Sequence, residues 1–175
     1  DSRYSAQAAQ QIPADYEVHI NNKDPWHCIA PLLPKSIKTL AFESEHTSVA
    51  AAEDAASKLK KIQLLPQREL VENLRLIKDD EELAIIQRAA NVADQCFDYV
   101  CGELRPGLRE DEVALAMETF MREQGASGPS FTFIVASGER SALPHGVASS
   151  KVLSAGDLVT LDIGAIVDGY CSDLT

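Results

Sequence analysis

The stretch Leu158-Val159-Thr160-Leu161-Asp162-Ile163-Gly164-Ala165-Ile166-Val167-Asp168-Gly169-Tyr170-Cys171-Ser172-Asp173-Leu174-Thr175 decides how this chain is read. Its first half is an apolar run bounded by Gly156-Asp157, as expected of a buried strand. Asp168-Gly169 is a hairpin-turn signal. Asp162 and Asp173, eleven residues apart, therefore fall on the two arms of one predicted hairpin. Directly opposed residues of an antiparallel pair have a constant index sum. A four-residue loop, Ile166 to Gly169, gives a sum of 335 and sets Asp162 opposite Asp173. A two-residue loop, Asp168-Gly169, gives 337 and makes them diagonal neighbours. Both sums are odd, so both registers put the two carboxylates on one face, and only a bulge breaks that parity.

Opposed Cβ atoms in such a pair lie roughly 4.5–5.5 Å apart. Two like charges at that distance on an apolar strand repel unless something neutralises them. A dinuclear site with metals about 3.5–4 Å apart suits two carboxylates well. On spacing alone, a pair of solvated hairpin aspartates remains an equal reading.

The rest of the composition sets limits. The chain has 175 residues, 45% of them hydrophobic, which is the content of a globular protein of one full domain or two small ones. Its net charge of −11 argues against a nucleic-acid backbone or an anionic membrane as partner. No apolar run approaches the roughly 18 residues of a membrane span. There is no secretory leader pattern, and the chain begins at Asp1 rather than Met. Cys28, Cys96, Cys101 and Cys171 form no C-x-x-C pair and suggest neither a zinc site nor a disulfide framework. Reduced cysteines in a cytoplasmic protein are the expectation. Cys171 lies two residues before Asp173 and on spacing shares its face, as a soft extra ligand or as a small packed side chain.

Upstream of the hairpin, the patterning predicts an α+β protein. Tyr16 to Ile20 alternates like a half-buried strand, and Ile37 to Phe42 reads as another short one. His46 to Lys61, alanine-rich with lysines at its end, reads as a helix whose dipole those lysines suit. Pro66 marks a boundary between a small α/β unit, 1–66, and a second domain, 67–175. In the second, Leu83, Ile86, Ala90, Ala93, Phe97 and Val100 follow a 3-4-3-4-3 spacing, one buried helical face. Asp79, Asp80, Glu81 and Glu82 crowd its start, where negative charge is favoured. A second helix runs from Glu110 to Gln124 with Val113, Met117, Phe120 and Met121 inward and Gly125 closing it. Gly128-Pro129 reads as a turn, Phe131 to Ala136 as a strand, and 137–150 as a polar loop.

That loop contains Pro144-His145-Gly146. A histidine between two predicted strands can reach a pocket at their ends, although a lone loop histidine is ordinarily a surface residue. His19, His27 and His46 have no supporting pattern and read as structural or solvent-facing.

Taken together, Ala136-Ser137-Gly138, Ser141-Ala142-Leu143-Pro144-His145-Gly146, Gly156-Asp157, Asp162-Ile163-Gly164 and Gly169-Tyr170-Cys171-Ser172-Asp173-Leu174-Thr175 resemble the pita-bread metallopeptidases, in their Xaa-Pro aminopeptidase and prolidase branch. Arg75-x-x-Lys78 with Glu81-Glu82 resembles the linker and first helix of that catalytic domain. Asp1-Ser2-Arg3-Tyr4 resembles an Asp-x-Arg-Tyr segment of the family's creatinase-like amino-terminal domain. The resemblance spans nearly the whole chain. It implies the first half of a pita-bread catalytic domain preceded by part of a small α/β domain.

The resemblance also implies a chemistry. Asp162 would be a bidentate ligand to one of two divalent metal ions and Asp173 would bridge both, with Mn(II) favoured by hard oxygen donors and Co or Zn as alternatives. His145 would act as a polarising hydrogen-bond donor to a proline-containing peptide during cleavage of an X-Pro bond. The intact form would be a cytoplasmic homodimer. The family completes its metal site with a histidine and two glutamates downstream, so this chain alone is expected to be catalytically silent and to bind metal weakly. A smaller departure is Arg109, where a helix-capping Thr or Ser is usual; its absence costs up to about 1 kcal/mol. Two other classes share the fold: non-catalytic modules that bind peptides or proteins, and metal-independent hydrolases similar to creatinase. Relatives of those kinds typically lose the aspartates that this chain retains.

Overall fold

The structure, a computed structural model, describes residues 2–20 and 24–175. Asp1, the first residue of the Asp-x-Arg-Tyr segment, lies outside them. The chain forms two compact units, Asp1–Ile77 and Lys78–Thr175. This division falls beyond Pro66, which sits inside a strand.

In the first unit a 3₁₀ turn at Ser2–Tyr4 runs into α1 (Ser5–Gln11). Helix α2 (Pro25–Leu32) starts where a cap and a proline coincide: the Asp24 carboxylate accepts the Trp26 N–H at 2.9 Å, and Pro25 occupies the first turn, where no N–H is needed. Strands β1 (Thr39–Glu43) and β2 (Gln63–Gln67) pair in parallel, from Thr39↔Gln63 to Glu43↔Gln67. A parallel pair needs a crossover, which α3 (Val49–Lys58) provides. Its N-cap, Ser48, accepts the Ala51 N–H. At its far end Lys58 bonds Asp54 at 2.7 Å and Asp24 at 3.1 Å, tying α3 to the start of α2. The expected helix near 46–61 is thus present with shorter ends, and the expected strand near 37–42 is present but shifted to Thr39–Glu43. Tyr16 to Ile20 is not a strand: among the described residues it pairs with none, and Val18 and Ile20 are exposed. Alternation without a partner edge leaves nothing to bury the apolar side. Helix α4 (Leu70–Leu76) completes the unit.

The second unit begins with α5 (Asp80–Glu103). A full capping box starts it: Asp79 accepts the Glu82 N–H at 2.9 Å and Glu82 accepts the Asp79 N–H at 2.8 Å. The buried face is Ala89, Val92, Ala93, Cys96 and Val100, rotated from the expected one, and Leu83 and Phe97 are exposed. The helix carries two overlapping apolar stripes. The one with small side chains turns inward because α5 lies close against α6 and the strands beneath it. Helix α6 (Glu110–Glu123) buries Val113, Met117 and Met121, while Phe120 packs half-buried and stacks on Tyr99 with ring centroids 4.6 Å apart. Gly125, at φ +94°, closes α6: its N–H reaches the Arg122 carbonyl and the Ala126 N–H reaches that of Met121, a Schellman pattern.

Gly128–Pro129 forms a short strand, β3, rather than the expected turn. It pairs with β6 (Ala165–Val167) at the sheet edge, the N–H groups of Ser127 and Ser130 donating to Ile166 and Gly164 on either side, so Pro129 costs the ladder no donor. Strand β4 (Ile134–Ser137) pairs antiparallel with β5 (Val159–Asp162), and β6 pairs with β7 (Tyr170–Cys171). The predicted hairpin is therefore divided. Its first arm belongs to one sheet through Asp162 and to a second from Ala165 onward. The buried face of α5, the inward residues of α6, and Val135, Leu161, Ile163, Ala165 and Val167 form one apolar core.

Candidate active site

The structure selects the register that the sequence left open. Val167 faces Tyr170 and Ile166 faces Cys171, so the loop is Asp168-Gly169 alone. Both loop residues have positive φ, +46° and +84°, as a type I′ turn requires. The bridge Ile163↔Leu174 keeps the same index sum across the gap between the sheets. No net bulge intervenes, and Asp162 and Asp173 are diagonal neighbours on one face rather than directly opposed.

Between them lies the buried Gly164. A Cβ there would lie 2.1 Å from both the Ser130 Oγ and the Ser172 carbonyl oxygen, closer than any real contact. This packing reroutes the local hydrogen bonds. The Ser130 hydroxyl donates to the Ser172 carbonyl at 2.8 Å, and the Ala165 N–H turns to the Ser172 Oγ at 3.0 Å. The glycine two residues after Asp162 thus lets Ser130 and the Ser172 backbone come closer than any side chain would allow.

Asp162, Asp173 and His145 line one cavity of about 390 Å³. Phe131, Ile134 and Val147 give it apolar walls, and Thr132 adds a hydroxyl. Asp162 ends β5 opposite Ile134, is half-buried, and accepts a hydrogen bond from the Thr175 Oγ1 at 3.1 Å. Asp173 and His145 are exposed toward the opening. The arrangement brings two hard carboxylate donors and one imidazole to a single pocket. Among the described residues, no group of three or more His, Cys, Asp or Glu side chains gathers in ligating range. The donors present fit a divalent metal in kind, as part of a ligand set. Cys171 is exposed and does not line the cavity. His19, His27 and His46 lie in the other unit beside Glu17, Asp24 and Glu72.

Two further contacts hold the hairpin arms to α5. The Tyr170 hydroxyl donates to Glu82 at 2.6 Å, and the Arg88 guanidinium pairs with Asp168. Glu82 thereby caps its own helix with one oxygen and anchors the Asp173 arm with the other. Its pKa lies below the ordinary glutamate value, chiefly because of the Tyr170 hydrogen bond and then that of the Asp79 N–H.

A buried carboxylate behind the His145 loop has no counterpart in the sequence reading. Glu110, the first residue of α6, is fully buried. Its Oε1 accepts the Ser137 N–H at 2.8 Å and the Ser137 hydroxyl at 2.9 Å. Its Oε2 accepts the Arg140 Nε–H at 3.1 Å, the Ser149 hydroxyl at 2.6 Å and the Ser149 N–H at 3.2 Å. Burial pushes this carboxyl upward, but the hydrogen bonds from Ser149, Ser137 and Arg140 outweigh it, and the pKa falls below the ordinary value. The sequence did hold a signal: Glu110 continues the Val113, Met117, Met121 stripe toward the helix start. The same network explains Arg109 at a cap position. The Glu112 carboxylate accepts the Arg109 N–H at 2.9 Å, and the N–H groups of Glu110 and Asp111 donate to the Lys151 and Ser149 carbonyls. A neighbouring backbone segment supplies what a Ser or Thr side chain would, so the expected loss of cap energy is offset.

Comparison with known proteins places the chain. Residues 84–175 match the model of metallopeptidase family M24, and residues 1–77 match the creatinase/prolidase N-terminal domain. The chain belongs to metallopeptidase family M24. It is 42% identical over 176 residues to the uncharacterized peptidase YqhT of Bacillus subtilis (strain 168), covering 100% of this chain and 50% of that one. Its fold superposes on an Xaa-Pro dipeptidase from Bacillus anthracis with a TM-score of 0.89 and 43% identity, over 98% of this chain and 48% of the other. An X-Pro aminopeptidase from Thermotoga maritima MSB8 gives a TM-score of 0.86 at 36% identity, over 99% and 49%. The chain spans about half the length of the curated relatives it matches. The mixed α and β architecture, a creatinase-type N-terminal unit followed by the first part of an M24 domain, is the one the sequence resemblance implied.

Proposed function

We propose that this chain carries the first part of the active site of a peptidase that hydrolyses X-Pro bonds with the help of divalent metal. The observation that carries this reading is the convergence of Asp162, Asp173 and His145 on one cavity with apolar walls. Similarity to proteins named Xaa-Pro dipeptidase and X-Pro aminopeptidase supports the choice of bond. Asp162 and Asp173 hold the metal, and their oxygen donors favour Mn(II) over a soft-site ion. Bound divalent ions supply Lewis acidity and lower the pKa of water. The Thr175 hydroxyl fixes the orientation of Asp162. His145, at the rim, donates a hydrogen bond to the peptide carbonyl oxygen as negative charge builds there. The apolar side chains of Ile134, Val147 and Phe131 give the cavity walls that suit an uncharged residue such as proline. Family resemblance is the ground for extending the reading to a cytoplasmic homodimer.

The test is hydrolysis by the full-length protein of a panel of X-Pro dipeptides and X-Pro-Y tripeptides, with Mn(II), Co(II) or Zn(II) added, beside the same assay on this chain alone. The full-length protein is expected to cleave before or at proline and the 175-residue chain to be silent, because two carboxylates supply too few ligands. A full-length protein inactive with every metal across the panel overturns the reading. Peptide binding that persists in chelator would then mark a non-catalytic module.

A further inference from the structure

The loop that presents His145 is fastened at both ends to one carboxylate. Ser137, where the loop leaves β4, gives Glu110 two hydrogen bonds, and Ser149, where it returns, gives two more. Arg140, from a 3₁₀ turn within the loop (Gly138–Ala142), bonds Glu110 through its Nε and reaches across to the Val147 carbonyl through a second nitrogen at 2.7 Å. Val147 pairs with Ile134, and both line the cavity. The turn is also tied to the strand that carries Asp162, since the Thr160 hydroxyl donates to the Ser141 carbonyl at 3.2 Å. Gly146 lets the returning chain lie on β4: a Cβ there would sit 2.8 Å from the Ala136 Cβ. The segment between these ties is Leu143-Pro144-His145.

We propose that Glu110 and Arg140 are positioning residues that set His145 against the cavity of Asp162 and Asp173. This inference rests on the role given to His145 above. The Glu110 carboxylate accepts on both oxygens, two donors at Oε1 and three at Oε2. An amide in its place accepts on only one and turns an N–H₂ toward other donors. Arg140 bridges two acceptors with a rigid fork that a lysine ammonium cannot reproduce. Neither residue lines the cavity, so their effect on chemistry passes through the loop.

Two measurements decide this. In the isotope-labelled 175-residue chain, amide hydrogen exchange compares the wild type with Arg140→Gln, Arg140→Lys and Glu110→Gln. Exchange at Val147 is expected to speed up by about tenfold or more in the Arg140 variants, with Cys96 and Val100 in α5 unchanged, because only the loop loosens. Uniform acceleration in the Arg140 variants, or none, overturns the proposal; the half-exposed Arg140 keeps the test open if Glu110→Gln does not fold. In the full-length peptidase, Arg140→Gln is expected to lower kcat for an X-Pro dipeptide about tenfold with KM little changed, and Arg140→Lys not to rescue it. Combined with His145→Ala, it should lower kcat no further than His145→Ala alone. Additive losses in that pair would mean that Arg140 does not act through His145, and would overturn the proposal. Should His145→Ala leave kcat intact, the role of His145 fails, while the exchange data still decide whether Glu110 and Arg140 hold the loop.

Discussion

Glu110 shows how one residue's protonation is linked to the fold around it. Its carboxyl titrates below its ordinary value of 4.5 in the folded state, so the ionised form is the one the native structure prefers. The stabilisation is fully present above that ordinary value and is lost as pH falls through the lower folded value. Leaving buried hydrogen-bond donors without their acceptor costs about 1–3 kcal/mol. Glu110→Gln should therefore lower the unfolding free energy measured in urea at pH 7 by that order, and should flatten the loss of stability between neutral and strongly acid pH. Equal pH dependence in variant and wild type would show that Glu110 does not contribute to it. In the sequence, Glu110 is one of three acidic residues, with Asp111 and Glu112, at a helix start, and any of them suits the dipole. Only its alignment with Val113 and Met117 sets it apart, and an expectation of apolar residues on a buried face conceals a buried acid.

At the scale of elements, the divided hairpin matters most. Its turn, the shared face of its aspartates and their facing arms were legible because strand parity survives any unbulged register. The division between two sheets was not, because the edge strand at Gly128–Pro129 and Ser130, which packs at Gly164, come from a distant part of the chain. Gly164→Ala would force those atoms apart. Overpacking of this kind costs typically about 1–3 kcal/mol. The full-length variant should melt earlier by that equivalent and, on the proposed function, lose X-Pro hydrolysis, since Gly164 lies between Asp162 and Asp173 on the facing arms. Unchanged melting and activity would show that the arms tolerate a methyl group there. Helix α5 carries a related lesson. Its periodicity located the helix, but Leu83 and Phe97 are as apolar as the residues that were buried, and periodicity could not say which of two adjacent stripes faces the core. Gly128-Pro129 has the composition of a turn and became an edge strand because Ser127 and Ser130 donate around it.

Across the whole molecule, the two units have different relations to the sequence. In the α/β unit the expected strand and helix are present, a second strand at Gln63–Gln67 runs through the Pro66 that reads as a boundary, and Tyr16 to Ile20 is unpaired. The second unit contains all three residues singled out for chemistry, and they converge although two come from a hairpin and one from a loop. Family membership and the half-length coverage of relatives agree with a site that needs donors beyond these. Asp162 and Asp173 as metal ligands are checked by titrating Mn(II) into the full-length protein by isothermal calorimetry, as wild type, Asp162→Asn and Asp173→Asn. Each substitution is expected to weaken Mn(II) binding at least about tenfold without a fall in melting temperature of the metal-free protein, as expected when an anionic ligand to a hard cation is neutralised. Unchanged Mn(II) affinity in both variants would mean that neither aspartate holds the metal.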